Sequence, residues 1–363
     1  MRYFRLIRSF PRAAFVLAAL AGPASADDAP TKVPELKKFR DWVVGCDNIR
    51  RCTAIGFAPR QFEGYIVVKR DAAAEAEVQV SLVARGDAKI EGPAVMSIQV
   101  DGDKVPGMSK AAWPVLLDDT DTEKKTGRIE IKDRDAAILL RLLHDAKVLG
   151  LTVTGKGQDP FDSLISLGGA AAALLYIDDS QQRVGTVTAI VNPGTAPASA
   201  IPAAPPMPQL KSVVMREVKD PPSALPKGVM KPPADNCEDP PSPDVIRLSP
   251  QLELWGVCEF KNSHNYSARY WIVGEGTAKE ASLVVPGRQN EGGGPSVLIN
   301  LDLTRDGRLL ESFVKGRGLS DCGSDAAWAW TGTEFELAYF AEMSECMGVS
   351  ADDWPVLYTT RWK

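Results

Sequence analysis

The sequence predicts an α+β protein: an N-terminal antiparallel β domain with two helices, then a proline-rich linker and a mostly β C-terminal domain. Three observations lead to this prediction. Short β-branched runs broken by Gly, Asp and Pro dominate both ends of the chain, which is typical of antiparallel strands. The apolar period lengthens from about two to about 3.6 residues near residue 133, as at the start of a helix. Finally, 14 of the 27 prolines fall within residues 191–243.

The first 26 residues are typical of a cleaved secretory signal. Four arginines precede an apolar run over residues 13–22, and the small-x-small cleavage pattern ASA ends at Ala26. The run is much shorter than the roughly 20 residues that span a bilayer, which disfavours an uncleaved membrane anchor. We therefore expect a mature protein that begins at Asp27, is secreted through the inner membrane into the periplasm and keeps no transmembrane segment.

The N-terminal domain, residues 27–190, opens with the strand signal FRDWVVGCDNIRRCTAIGF, in which Trp42 and Val44 alternate into a core. The runs EGYIVVKRD, EVQVSLVARG and AVMSIQVDGDKV continue this pattern. They are broken by Gly, Asp and Pro, as expected of antiparallel strands with short connections.

Two helices follow these strands. The first can be capped by Asp133 or Asp135, carries an apolar face of leucines and alanines, and is expected to stop at Gly150. The second begins near Ser166 and runs through AAAALLYIDDSQQ, after which the run GTVTAIV closes the domain as a strand. Strands followed by helices indicate an α+β domain.

Residues 191–236 are predicted to link two domains, a number that also fits the 363-residue length. The core of this segment, APASAIPAAPPMPQ, is rich in proline and alanine and offers no apolar face. Proline favours an extended polyproline II conformation of about 3.1 Å per residue. We expect the segment to separate the two domains rather than to pack onto them.

The C-terminal domain, residues 237–363, is almost entirely strand-like and holds six of the eight tryptophans. Turn signals recur at a spacing of about 8 to 12 residues, which is typical of all-β meanders. The apolar runs are LELWGVCEF, ARYWIVGE, ASLVVPG, SVLINLDLT, LLESFVKGRG, AAWAWTG, TEFELAYFAEM and VLYTTRWK. This pattern does not decide between a sandwich, a barrel and a propeller-like sheet.

The six cysteines are expected to form three disulfides, because an exported protein folds in an oxidising compartment. Several connectivities are possible, and closeness along the chain favours three local bridges, which are Cys46–Cys52, Cys237–Cys258 and Cys322–Cys346. The alternative, a zinc site, lacks a close C-x-x-C pair and paired histidines.

The charge balance excludes some classes of partner. The chain has 42 basic and 47 acidic side chains, and removal of the signal changes the net charge from -5 to -9. This acidic balance gives no electrostatic footprint for phosphate backbones, so we expect no nucleic-acid partner. The chain has only two histidines, His144 and His264, which nearly excludes histidine-based metal sites and triads. We expect no bound metal and no cofactor.

Four blocks of sequence, in order along the chain, resemble a known family. They are FRDWVVGCDNIRRCTAIGF, SLGGAAAALLYIDDSQQRVGTVTAIV, KGRGLSDCGSDAAWAWTGTEFELAYFAEMSECMG and DDWPVLYTTRWK. Together with the proline-rich segment they are similar to the bacterial domain of unknown function 1176 family over nearly the whole mature chain. The first domain also resembles the invasion-associated locus B family through its W-x-V-x-C opening and late helix. The resemblance implies an exported periplasmic protein of proteobacteria and supplies no catalytic residue.

One turn departs from the family pattern and is a candidate binding site. Where the family's C-terminal block has an alanine-tyrosine-asparagine turn after the cysteine, this chain has SHNYS at residues 263–267. A family site there would be altered. The turn presents His264 and Tyr266, but no acidic or nucleophilic partner adjoins His264 in the sequence, which favours a loop residue over a general base.

The segment GRGLSDCG is the second candidate binding site. It places Arg317 and Asp321 next to a bridged cysteine and shortly before Trp328 and Trp330. As a functional site it would be a small polar pocket walled by aromatic rings, suited to a glycan or a peptide. As a structural feature it would be a disulfide-stapled turn with an arginine–aspartate pair. The structural interpretation is favoured, because buried tryptophans usually belong to the core.

Two functions from different classes remain. The favoured one is a non-enzymatic binding or interaction protein of the envelope, whose partner is an unidentified envelope protein, a peptide or a glycan. The alternative is a cell-wall or glycan-active hydrolase that uses carboxylates such as Asp321 and Asp325. That chemistry needs two carboxyl groups about 5 to 9.5 Å apart across a cleft. The sequence assigns no catalytic residue.

Overall fold

The computed structural model describes residues 32–60, 63–87, 89–90, 92–117, 125–156, 159–231, 236–237, 243–289 and 293–363. The predicted signal, residues 1–26, lies outside these ranges. Within them the protein is mostly β, with two α-helices. Neither of these helices is both long and apolar enough to cross a membrane.

The first half of the chain, which we take as residues 32–190, builds two antiparallel sheets and two helices from its described residues. Its elements in order are β1 (Lys37–Phe39), β2 (Trp42–Cys46), β3 (Cys52–Phe57), β4 (Gly64–Arg70), β5 (Val78–Arg85), β6 (Ala94–Val100), β7 (Asp103–Lys104), β8 (Trp113–Pro114), β9 (Leu116–Leu117), β10 (Thr126–Ile131), α1 (Asp133–Leu143), β11 (Val148–Gly155), β12 (Phe161–Ser166) and α2 (Ala170–Ser180). The first sheet has the order β1-β2-β3-β4-β5-β10-β9. The second has the order β12-β11-β6-β7, and β8 also pairs with β6.

One face of the first sheet packs against the second sheet and both helices. Alternate residues of β2 to β5 enter this core, as expected for Trp42 and Val44, which are fully buried. The leucine-rich face of α1 packs against β5, and α2 packs against β2 and β3. The indole Nε1 of Trp42 donates to the carbonyl of Ser166 at 3.0 Å, which ties β2 to the end of β12.

The ends of α1 differ from the sequence prediction. The helix stops at Leu143, and Gly150 lies inside β11 rather than ending the helix. No side chain caps the N-terminus: the carboxylate of Asp135 accepts hydrogen bonds from Ser109 instead, including one from its backbone N–H at 2.9 Å. A partner on a distant loop therefore replaces the local cap that the sequence suggested.

The start of α2 also differs. The helix begins at Ala170 rather than near Ser166, because Ser166 is the last residue of β12. Gly169 precedes the helix with a φ of 105°, a conformation that favours glycine. A Cβ at this position would collide with the carbonyl oxygen of Phe39, so the close approach of β1 to the helix start also requires glycine.

The run GTVTAIV, residues 185–191, was expected to close the first half as a strand, and this prediction is wrong. The run forms turns and one isolated bridge between Thr186 and Ala196. The buried carboxylate of Asp178 accepts the backbone N–H groups of Ile190 and Val191 at 2.8 to 3.0 Å. Because a side chain satisfies these donors, they do not join a sheet.

The second half, residues 237–363, and the segment before it build the remaining sheets. The elements in order are β13 (Gln209–Leu210), β14 (Arg216–Glu217), β15 (Asp244–Arg247), β16 (Glu253–Lys261), β17 (Tyr266–Gly274), β18 (Thr277–Glu280), β19 (Val297–Ile299), β20 (Leu301–Leu303), β21 (Leu309–Lys315), β22 (Gly323–Trp330), β23 (Phe335–Met343), β24 (Val356–Thr359) and β25 (Arg361–Trp362). The third sheet has the order β14-β15-β16-β17-β18, with β19 also paired to β17. The fourth has the order β20-β21-β22-β23-β24.

The third and fourth sheets enclose one core. Leu254 and Tyr270 enter it from the third sheet, and Leu310, Trp328 and Phe340 enter it from the fourth. Two separate sheets over a common core correspond to a sandwich, among the arrangements that the sequence left open. The second half thus has a buried interior of its own, distinct from the core around the two helices.

The run ASLVVPG, residues 281–287, was predicted as a strand but forms none within the described residues. Its amides bond individually: Ala281 donates to Tyr270, and Leu283 donates to Pro295, both at 2.9 Å. Proline has no N–H with which to return a hydrogen bond, so a regular ladder does not extend here. The run still buries Ala281 and Leu283, as its apolar pattern indicates.

The proline-rich segment, residues 191–236, does not hold the two halves apart as expected. In its second part, β13 pairs with β25 in parallel, and the backbone of Val213 bonds to Trp330 at 2.8 Å. Met215 is 1% exposed and belongs to the core of the sandwich. Extended proline-rich backbone has unpaired polar groups, and here they bond to the second half instead of to water.

The two halves pack directly on each other. The outer face of the first sheet, with Val43 and Ile55 among its residues, forms one apolar cluster with Met343, Val349 and Trp354 of the second half. Every residue of β2 is buried, since Trp42 and Val44 face the helices while Val43 faces the second half. The sheet is therefore covered on both faces.

Candidate functional site

All six cysteines form the three bridges that the sequence favoured, and none is free. Cys322 is 2% exposed and packs in the apolar cluster between the halves, with Cys346 beside it. This bridge fixes the turn around residues 316–322 next to the first sheet. The presence of three disulfides fits an oxidising compartment.

The turn that contains Arg317 and Asp321 holds a fully engaged ion pair. Nε of Arg317 lies 2.7 Å from Oδ1 of Asp321, and the same guanidinium donates to the carbonyl of Cys346 at 2.7 Å. The Gly348 amide donates to Asp321 at 2.7 Å. Burial alone would raise the pKa of Asp321, but the bonds from Arg317 and Gly348 hold it below its ordinary value. The pair staples two loops together and offers a ligand few unused atoms.

The turn with His264 lies apart from that ion pair in the chain and joins β16 to β17. The His264 side chain is 3.1 Å from the Ser263 hydroxyl, and the Asn262 side chain accepts the His264 amide at 2.9 Å. Tyr266 is half-buried at the start of β17, and its backbone N–H donates to the Asn300 side chain at 2.7 Å. Among the described residues this turn places no acid next to the imidazole, so it resembles an ordinary hairpin turn.

The two tryptophans do not wall a pocket around Asp321. Trp328 and Trp330 are 2% and 1% exposed and lie in the sandwich core. Trp330 stacks at a tilt on Phe335, with ring centroids 4.8 Å apart. Six residues lie between Asp321 and Trp328, and the five of them in β22 alone extend over about 16 Å at about 3.3 Å per residue. The predicted site residues thus divide into a stapled turn, a hairpin turn and the core.

A cavity of about 250 Å³ lies between the two sheets of the sandwich, and Trp328 is the one predicted site residue that lines it. We call it the sandwich cavity. Eight of its thirteen lining residues are apolar, and the walls come from both sheets and from the run before β19. The lining residues are Val285, Arg288, Gln289, Val297, Leu298, Ile299, Ser312, Val314, Ser324, Ala326, Trp328, Phe340 and Glu342.

Two charged side chains form the polar end of the sandwich cavity. Arg288 and Glu342 are ion-paired at 2.9 Å, and the guanidinium lies 5.6 Å from the centre of the Phe340 ring. Arg288 also donates to the carbonyl of Pro34 at 3.1 Å. Nε of Arg288 is buried without a hydrogen bond to any described residue, whereas Oε2 of Glu342 is the oxygen that pairs with Nη2 of Arg288. A buried donor usually has a partner, so one unused donor lies at this end of the cavity.

A second candidate lies in a cavity of about 400 Å³ between the halves, lined by Arg51 and Lys69 from one side and by Asp325 and Tyr339 from the other. Burial raises the pKa of Asp325 to about 7, with a further contribution from Glu311, whose carboxyl group is hydrogen-bonded to it. Burial also raises the pKa of Tyr339. Neighbouring strands bring the carboxyl groups together, because β21 pairs with β22.

We expect stability to depend on pH through Asp325. The folded protein holds its proton up to about pH 7, whereas the ordinary pKa is 3.8, so folded molecules bind more protons between these values. Stability should therefore fall as the pH rises from about 4 to about 7. Asp325→Asn should remove this fall, which is about 2 kcal/mol after allowance for partial exposure.

Urea unfolding at pH 4.5, 6 and 8 measures this effect. Asp302→Asn, at an exposed position of the same sheet, is the matched control and should leave the pH dependence as in the unaltered protein. If the free energy of unfolding changed with pH in the same way in the Asp325→Asn variant and in the unaltered protein, the raised pKa assigned to Asp325 would be contradicted.

Sequence reasoning missed Arg288, Glu342 and Glu311. Glu342 carries a weak signal, since it is a charge between buried residues of β23, whereas Arg288 has none because it lies far from Glu342 in the chain. No group of three or more His, Cys, Asp or Glu side chains in the described part of the chain is arranged to hold a metal ion.

Comparisons with known proteins extend along most of the chain. It is 28% identical over 350 residues to uncharacterized protein YpfG of Escherichia coli (strain K12), which covers 90% of this chain and 94% of that protein. It is also similar to the crystal structure of invasion associated protein b from Bartonella henselae, with 17% identity, a TM-score of 0.29, and coverage of 41% of this chain and 99% of that one. The family model described as protein of unknown function (DUF1176) matches residues 36–361, so the chain belongs to that family.

Proposed function

We propose that the protein is a non-enzymatic binding protein of the periplasm, and that its sandwich cavity takes a small apolar ligand with a neutral, hydrogen-bonding head. The observation that carries the proposal is the buried Nε of Arg288, which has no acceptor among the described residues and lies at one end of a cavity with eight apolar residues among its thirteen lining residues. Buried polar atoms without partners cost free energy, and a ligand that supplies the partners recovers it.

The walls and the volume define the body of the ligand. Side chains such as Val297, Leu298 and Phe340 offer dispersion contacts but no hydrogen bonds, so an apolar chain or ring is favoured. A volume of about 250 Å³ corresponds to roughly eight waters at about 30 Å³ each, which suits a single short chain rather than a two-chain lipid. A glycan fits poorly, because its many hydroxyl groups would each need a partner.

The polar end defines the head of the ligand. Arg288 and Glu342 neutralise each other, so a charged head would leave an excess charge in a partly buried site. An amide or a hydroxyl group can accept a hydrogen bond from Arg288 Nε without adding charge. Of the envelope partners expected from the sequence, the cavity therefore favours an apolar peptide segment, and an acyl amide meets the same requirements.

Export and a two-domain layout complete the proposal. The arginine-flanked apolar run before Asp27 and the three disulfides support secretion to the periplasm. We divide the mature chain into domains at residues 27–190 and 237–363, joined by the segment 191–236. The separate cores around the helices and inside the sandwich support this division.

The alternative, a glycan-active hydrolase, has less support. Asp321 is engaged by Arg317 and by the Gly348 amide, and Asp325 is hydrogen-bonded to Glu311. A direct hydrogen bond brings two carboxyl groups closer than the about 5 Å at which a glycosidase places a sugar between them. The pair fits a proton-sharing contact better than a hydrolytic dyad.

Octanamide tests the proposed ligand class, because it joins a single chain to a neutral amide. We expect saturable binding to the full mature protein, measured by calorimetry and by a change in the intrinsic tryptophan fluorescence, to which Trp328 in the cavity wall contributes. Ala326→Leu should weaken binding at least tenfold by filling the cavity. Ala204→Leu, at an exposed position of the proline-rich segment, is the matched control and should bind octanamide normally.

Arg288→Met tests the contribution of the ligand's head separately from that of its apolar body, because methionine keeps an apolar stem and removes the hydrogen-bond donor. The substitution should weaken the binding of octanamide more than the binding of toluene, which has no polar head. Circular dichroism and thermal melting establish that each variant is folded. Octanoate binding as tightly as octanamide, or equal octanamide affinity in the Ala326→Leu variant, would refute the proposed ligand class.

A further inference from the structure

The first half contains a buried cluster with an excess of positive charge. The side chains of Arg70 and Asp178 are 4% and 0% exposed, and Arg183 is fully buried beside them. The two guanidinium groups share this one buried carboxylate, and the exposed Glu75 is a further counter-charge for Arg183 but not for Arg70. A buried charge without a counter-charge is costly, so this cluster favours a further anionic group nearby.

The hydrogen bonds show which of the two guanidinium groups lacks a partner. Arg183 donates to the Gln181 side chain at 2.8 Å and to the carbonyls of Ala73 and Ala74 at 2.5 and 2.7 Å. Asp178 is occupied by two backbone N–H groups. Arg70 uses its Nε on a carbonyl, but its Nη1 lies 3.6 Å from Asp178 and has no hydrogen-bond acceptor among the described residues.

A cavity of about 380 Å³ adjoins Arg70, and we call it the helix-side cavity. It lies between α1 and residues 187–193, and Ala137, Leu140 and Ile190 form an apolar part of its wall. The volume corresponds to roughly twelve waters, which is enough for one small ring or short chain. Burial and the nearby charge of Arg183 lower the pKa of Arg70 to about 10, so the group is still charged at neutral pH.

The rim of the helix-side cavity carries charges of both signs. Arg134 and Arg141 of α1 are basic, whereas Glu75, Glu77 and Asp133 are acidic. Glu77 and Asp133 are hydrogen-bonded to each other, which raises the pKa of Glu77. At the buried end of the cavity, the donor without an acceptor is Nη1 of the positively charged Arg70.

We infer that the helix-side cavity binds a small organic carboxylate, which pairs with Nη1 of Arg70 and lays its apolar body against α1. A carboxylate supplies both the missing acceptor and the missing counter-charge, and a guanidinium–carboxylate hydrogen bond is stronger than one between neutral groups. This site lies on the helix side of the first half and is separate from the sandwich cavity, so it does not depend on the proposed function.

Phenylacetate is the probe, because it joins one carboxylate to one ring. We expect saturable binding to the full mature protein by calorimetry and a rise in melting temperature that depends on phenylacetate concentration. Phenylacetamide, which has the same shape and no charge, should bind at least tenfold more weakly. Ala137→Phe, at an exposed position of α1 that lines the cavity, should also weaken phenylacetate at least tenfold by blocking the site.

The controls separate binding from folding. Ala172→Phe makes the same change on an exposed position of α2, away from the cavity lining, and should bind phenylacetate as the unaltered protein does. Arg70→Met should abolish binding, and Ala137→Phe still decides the question if that variant does not fold. Equal binding of phenylacetamide, undiminished binding in the Ala137→Phe variant, or inorganic phosphate competing as well as phenylacetate would each overturn the assignment.

Discussion

Replacing Asp353 by alanine should lower the free energy of unfolding by about 3 to 5 kcal/mol. The Asp353 side chain is 3% exposed and accepts two bonds from Arg128, at 2.7 and 3.2 Å. It also accepts the Tyr65 hydroxyl at 2.9 Å, and Nζ of Lys69 lies 3.4 Å away. The variant would leave a guanidinium and a phenol at the contact between the halves without this acceptor, which is costly where little water enters.

The effect should concern the joint between the halves in particular. Tyr65, Lys69 and Arg128 belong to the first sheet, whereas Asp353 lies in a short turn of the second half. Loss of the carboxylate should therefore also loosen the apolar cluster around Trp354, the next residue in the chain. We expect a broader or biphasic unfolding transition as the halves lose cooperativity.

Urea unfolding followed by circular dichroism measures this loss. Asp352→Ala is the matched control, since it removes an exposed carboxylate one residue away, and it should change stability by less than about 0.5 kcal/mol. Arg128→Ala and the double variant complete a thermodynamic cycle that isolates the pair. A loss below about 1 kcal/mol for Asp353→Ala would mean that water replaces the carboxylate.

Local patterns in the sequence predicted most of the strands and both helices. The apolar runs AAWAWTG and TEFELAYFAEM predicted β22 and β23, and the apolar period predicted the buried face of α1. The errors arose where a distant group satisfied the backbone. Asp178 accepts the amides of the run GTVTAIV, and Pro295 interrupts the ladder beside residues 281–287. No local pattern contains these partners.

The sequence contains a signal for the contact between the halves, but the proline-rich segment led to the prediction that the halves are held apart. The run WVVGC of β2 is apolar without interruption, which indicates a strand covered on both faces. The helices account for one face only, so the other needed a cover. By contrast, the polar end of the sandwich cavity was unpredictable, because Arg288, in the segment between β18 and β19, meets Glu342 of β23 only in the folded chain.

Removal of the Cys322–Cys346 bridge should cost the second half about 3 kcal/mol. Its ends are 24 residues apart, and in the chain-entropy model a loop of this length gains about that much from closure. The bridge also positions the carbonyl of Cys346 for Arg317 and lies in the apolar cluster between the halves, so its loss should weaken both contacts. The Cys46–Cys52 bridge closes only 6 residues and should contribute less.

The paired variants Cys322→Ala/Cys346→Ala and Cys46→Ala/Cys52→Ala test this difference, each in urea unfolding with the other bridges oxidised. The Cys322→Ala/Cys346→Ala variant should lose more stability than the Cys46→Ala/Cys52→Ala variant. The unaltered protein, made without residues 1–26 in a reducing cytoplasm, should lose at least as much stability as the Cys322→Ala/Cys346→Ala variant. Equal losses for the two pairs would contradict the loop-length argument. If the reduced protein were as stable as the oxidised one, the fold would not depend on its disulfides. The disulfides would then give no reason to expect an oxidising compartment such as the periplasm.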